Sequence, residues 1–114
     1  MSSEPCMSSH YQLLAHAAAV KIYKTYASQN GLIGITLNCH WFVPFSNDTL
    51  DHQASQRALD FMFGWFMQPL TTGNYPETMQ SLLGSRLPNF TGAIQATYWI
   101  LTELTTSIAI FIIF

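Results

Sequence analysis

Charge is what this sequence most lacks. Asp, Glu, Lys and Arg make up 9% of it, against roughly 25% in an average soluble domain. The net charge is −2. No basic run and no interleaving of basic with aromatic residues offers a surface to a nucleic-acid backbone, so nucleic acid is excluded as a partner. The two cysteines, Cys6 and Cys39, make neither a CxxC pair nor a disulfide framework and read as buried thiols. The histidines His10, His16, His40 and His52 show no H-E-x-x-H or related metal spacing. There is no Gly-rich phosphate loop, and no serine or cysteine nucleophile stands out by spacing. The first residues have neither the basic nor the apolar region of a secretory leader. Against these absences stand an apolar content of 49% and two glycosylation candidates, Asn47 (Asn47-Asp48-Thr49) and Asn89 (Asn89-Phe90-Thr91).

The 114 residues suffice for one globular core. They fall well short of the roughly 250 residues of a (β/α)8 barrel. Ser9 and Gln12 have the spacing of a capping box, which predicts a helix from about His10 to Ser28 with Leu13, Leu14, Ala17 and Val20 on one face. Asn30-Gly31 supplies a stop. The apolar run Leu32 to Cys39 reads as a strand buried on both faces, as in a parallel sheet. A second helix is expected from Leu50 to Phe66, begun by the polar cluster Ser46 to Thr49, with Pro69, Gly73 and Asn74 forming a loop. Pro76 then opens a third helix that ends near Gly84. Helix, tight turn and buried strand together are α/β grammar.

These elements carry a family likeness. Ser3-Glu4-Pro5, His10 and Leu13-Leu14-Ala15-His16-Ala17 resemble the T-E-P…H-x-x-L-L-A-H-A segment of plant-type β-glucosidases of glycoside hydrolase family 1. Ile33-Gly34-Ile35, His40-Trp41 and Pro44-Phe45-Ser46 are similar to that family's fifth barrel strand and its exit. Gln56-Arg57-Ala58-Leu59-Asp60-Phe61-Met62-Phe63-Gly64-Trp65-Phe66-Met67 resembles the helix that follows, and Pro69-Leu70-Thr71-Thr72-Gly73, Tyr75-Pro76 and Arg86-Leu87-Pro88 continue the likeness. Gln68 and Asn74 stand where the family usually has aspartate, and Cys39 where serine is common.

The resemblance implies a fold class: an α/β segment of a (β/α)8 barrel, mostly helical, with one clear barrel strand. Residues 1–91 would be that segment and residues 92–114 an apolar tail outside the family pattern. It also implies a retaining β-glucosidase as parent, with a β-glucoside substrate and neither metal nor organic cofactor. Members of the family are vacuolar, extracellular or plastid. A retaining glycosidase needs two carboxyl groups about 5–5.5 Å apart. The family draws them from a T-F-N-E-P motif and an I/V-T-E-N-G motif, and neither occurs in this chain. Glu4-Pro5 precedes a helix rather than following a strand, so it is not read as the acid/base. No catalytic residue is therefore assigned. Asn38, His40 and Trp41, at the strand's C-terminal end, are the substrate-border candidates.

The tail from Ala96 to Phe114 has a single charge, Glu103, and ends in Ile-Phe-Ile-Ile-Phe. Its length approaches a membrane span, but Glu103, several threonines and the want of basic flanks argue against one. The loss of family pattern reads as a shifted reading frame or an unspliced intron. A lone slice of barrel leaves strand edges unpaired, so weak autonomous folding and self-association or aggregation are expected. The alternative reading is a small tail-anchored membrane or interaction protein derived from a β-glucosidase gene.

Overall fold

The computed structural model describes residues 3–26 and 33–90, together with the backbone of 107–113. Its elements are helix α1 (Glu4–Thr25), strand β1 (Gly34–His40), helix α2 (Thr49–Leu59), helix α3 (Trp65–Thr72), helix α4 (Glu77–Leu83) and strand β2 (Ser107–Ile113). Helix α1 begins earlier than the capping box predicts. Pro5, whose fixed φ suits a first turn, and Glu4, whose charge suits the N-terminal dipole, start it at Glu4 with Ser3 as N-cap. Ser9 and Gln12 therefore lie in mid-helix and make no capping box. The buried stripe consequently gains Cys6 and His10, while Leu14 is only partly buried, and runs Cys6, His10, Leu13, Ala17, Val20. Leu13 and Val20 are fully enclosed, each worth about 1.5–3 kcal/mol of apolar transfer.

The second expected helix is two helices joined by one wide π turn, Asp60–Gly64. Asp48 caps α2, its Oδ1 accepting from the Leu50 N–H at 2.7 Å. Pro69 does not end the helix. It lies inside α3 and is fully buried, and the helix continues to Gly73, whose left-handed φ of 75° lets its N–H reach the Pro69 carbonyl at 2.9 Å. Ala54, Ala58, Phe61, Met62 and Trp65 recur at helical spacing, but this face is only partly covered: α2 has no buried residue, and Phe61, Met62 and Trp65 are partly exposed.

Helix α4 runs from Glu77 to Leu83 with Pro76 as N-cap. Two contacts fix it against the π turn. Thr78 Oγ1 donates to Asp60 Oδ2 at 2.6 Å, and Gly64 approaches so closely that a Cβ there would stand 3.1 Å from Pro76 Cγ. Met79 and Leu83 project into a core shared with Leu13, Val20, Leu37, Leu70 and Tyr75.

Strand β1 alternates rather than being buried on both sides. Leu37 and Cys39 are buried, whereas Thr36, Asn38 and His40 are exposed. The side chains alternate because the strand period is two; helices cover one face, and the polar face is open. The tail read from sequence as outside the family pattern contributes β2, which pairs with β1 in parallel, from Gly34↔Ser107 to His40↔Ile113. One edge of β1 is thus paired. Among the described residues no helix is long and apolar enough to cross a membrane.

Candidate functional site

A parallel strand delivers chemistry at its C-terminal end, where the chain leaves the sheet. On β1 that end carries Asn38, Cys39 and His40, followed by Trp41. Cys39 points into the protein, while Asn38 and His40 share the open face. The His40 N–H approaches Met62 Sδ at 3.5 Å, which ties the strand end to the π turn. Trp41 is 53% exposed.

A groove of about 260 Å³ runs along Ile35, Thr36, Leu37 and Asn38, walled by Gln12 of α1 and by Met62 and Phe66. Gln12, Thr36 and Asn38 are its lining residues with polar side chains. Of the substrate-border candidates, Asn38 lines the groove and His40 and Trp41 lie beyond it. No carboxylate is among its described lining residues.

The acids in the described region all have structural settings. Glu4 and Glu77 stand in first helical turns. Asp48 is the cap of α2, and Asp51 accepts from Ser46 Oγ at 2.6 Å. Asp60 accepts from Gln56 Nε2 and Thr78 Oγ1 and joins two helices. Among the described residues, no group of three or more His, Cys, Asp or Glu side chains is placed to hold a metal ion. Both Cys6 and Cys39 are buried free thiols.

A second cluster escaped the sequence reading because its members are far apart in the chain. His10 Nδ1 lies 2.9 Å from the Tyr75 hydroxyl, and Phe90 stacks on Tyr75 with ring centroids 4.8 Å apart. Burial pushes His10 below its ordinary value of 6.5, and His16 likewise. A shallow cavity of about 230 Å³ beside this cluster includes Asn74, Gln80 and Asn89. Both sequon asparagines, Asn47 and Asn89, are exposed.

Helices packed on one face of parallel strands, with a polar strand end at the open face, define a segment of an α/β barrel enzyme. Solved structures superpose on it. A crystal structure of the rice β-glucosidase Os3BGlu6 matches 96% of this chain with TM-score 0.84 at 40% identity, and the match covers 23% of that chain. A Trichoderma harzianum β-glucosidase matches 86% with TM-score 0.81 at 38% identity, over 21% of its length. Among curated proteins, a cyanogenic β-glucosidase of Trifolium repens is 61% identical over 89 residues, 76% of this chain and 21% of the relative. Beta-glucosidase 12 of Oryza sativa subsp. indica is 57% identical over 90 residues, 77% of this chain and 18% of the relative.

Residues 2–104 match glycosyl hydrolase family 1, and the chain belongs to that family. The match runs past Thr91, where the sequence reading placed the end of the family-like part. The chain spans about a fifth of the length of these relatives.

Proposed function

We propose that this chain is one wall of a retaining β-glucosidase barrel, supplying the border of a glucoside site and neither of its two catalytic carboxylates. The observation behind this reading is the composition of the β1 end: Asn38, His40 and Trp41 gather there without an acid, in a chain of a family named for glycosyl hydrolysis. In this reading the open face of β1 looks toward the barrel interior. The Asn38 amide offers both a donor and an acceptor to sugar hydroxyls. Trp41 offers an apolar face to the sugar ring, and the His40 ring a further hydrogen bond. None of these groups can form a glycosyl ester or protonate a leaving glycoside in the manner of the paired carboxyls. Support for a covalent route in the parent comes from a related rice enzyme, a mutant of which was captured in a covalent complex with Glc.

The chain alone is therefore expected to show no turnover of a chromogenic β-glucoside above buffer. Turnover abolished by changing one of its own Asp or Glu residues would overturn the proposal.

A further inference from the structure

The two glycosylation candidates are differently placed. Asn47, Asp48 and Thr49 are all exposed, in the bend that joins β1 to α2. Other residues hold that bend. Ser46 Oγ donates to Asp51 Oδ2 at 2.6 Å, the Asp48 N–H donates to Ser46 Oγ at 3.1 Å, and Asp48 Oδ1 accepts from the Leu50 N–H. The Asn47 carboxamide has no hydrogen-bond partner among the described residues. A group attached to its Nδ2 would disturb none of these bonds. At the other sequon, Phe90 is committed to the aromatic cluster, its ring centroid 4.7 Å from that of His10 and 4.8 Å from that of Tyr75. Asn89 itself lines the shallow cavity beside that cluster. The surface flanking Asn47 is also apolar for a bend: Val43 is 74% exposed, Phe45 98% and Leu50 70%. Exposed apolar residues in a group favour association, and an N-linked glycan is bulky and solubilising.

We propose that Asn47 is an N-glycosylation site whose glycan shields the apolar 43–50 bend. The acceptor is the Asn47 carboxamide, and the donor is an oligosaccharide joined through pyrophosphate to a lipid in the secretory lumen. Nδ2 attacks C1 of the first sugar. The C1–Nδ2 bond forms and the C1–O bond to pyrophosphate breaks. The lipid pyrophosphate leaves with the electron pair, and the amide gives up one proton; nothing is oxidised or reduced. Thr49 supplies the hydroxyl that the sequon requires, and at the start of α2 it is exposed. Asn47, Asp48 and Thr49 have no part in the proposed glucoside border.

The test translates the full chain behind a cleavable leader in the presence of endoplasmic-reticulum microsomes. A retarded band is expected, collapsed by an enzyme that removes N-linked glycans. Asn47→Gln and Thr49→Ala should abolish it, and Thr49→Ser should keep it. Two steps of retardation, of which Asn47→Gln removes one, also support the proposal. Absence of any retarded band overturns it, as does a single band that survives Asn47→Gln and is therefore carried by Asn89. The shielding is read on chain purified from a eukaryotic secretory host. In sedimentation velocity the Asn47→Gln chain should self-associate at least about tenfold more tightly than the glycosylated chain, since excluding one aromatic side chain from a contact is worth about that factor. Equal self-association of the two forms overturns the shielding.

Discussion

Truncating Met79 to alanine tests whether α4 is the keystone of this core. The side chain is fully enclosed and stands among residues from α1, β1 and α3. Its removal forfeits transfer free energy and leaves a cavity, which for Met→Ala costs about 2–5 kcal/mol. Stability of an ordinary domain is about 5–15 kcal/mol, so this is a large share. The measurement is resistance to limited proteolysis, because cleavage tracks the population of open forms when reclosing is fast. A factor of ten corresponds to about 1.4 kcal/mol, so Met79→Ala should be cut at least about thirtyfold faster than the parent chain. Phe45→Ser is the control. With Phe45 98% exposed it removes almost no buried area, and surface changes of this kind stay within about 0.5 kcal/mol, or about twofold in rate. If Met79→Ala were cut less than threefold faster, or the two variants behaved alike, the packing described for α4 would be wrong.

Two further outcomes follow from the His10–Tyr75–Phe90 cluster. Tyr75→Phe keeps the ring stack on Phe90 but removes the hydroxyl 2.9 Å from His10 Nδ1. It should cost about 1–3 kcal/mol by stranding a buried polar atom, read as roughly fivefold or greater acceleration of cleavage; unchanged resistance would mean that the bond is not formed. Acidification should also weaken the fold. His10 and His16 sit below 6.5 in the folded chain because burial disfavours the imidazolium. Under pH 6.5 the unfolded chain binds more protons, so their contribution is whole above that value and drains away as pH falls through the folded values. Protease resistance at pH 5.5, corrected with an unstructured substrate, should be lower than at pH 7.5, and equal or greater resistance would contradict the assigned burial.

Much of the fold was legible because local chemistry and tertiary structure agree. Asp48 caps the helix that the polar cluster announced, Pro76 and Gly84 bracket α4, and Leu13, Ala17 and Val20 form the inner stripe of α1. The misreadings fall where long-range packing overrides a local signal. Ser9 and Gln12 have capping-box spacing, yet Pro5 had already begun the helix. Pro69 is a helix breaker by local rules, but the π turn just before it loosens the helix and Gly73 closes it afterwards. The terminal run of Ile and Phe is strand-like by composition and forms β2, but its partner could not be read. Its pairing with β1 joins Gly34 to Ser107, a separation that no local pattern encodes.

The candidate site divides in the same way, and the division has a physical cause. The position of Asn38, His40 and Trp41 at the end of β1 could be read from the apolar run, and their role toward a ligand is a proposal that rests on a parallel strand presenting its C-terminal end to whatever the sheet binds. The His10–Tyr75 contact could not, since neither residue has a local signal for the other. The alternation along β1 shows which face of the strand the helices cover. A strand in a closed barrel has helices on its outer face and a side-chain-filled interior on its inner face. Here Leu37 and Cys39 have found their cover, while Thr36, Asn38 and His40 have not.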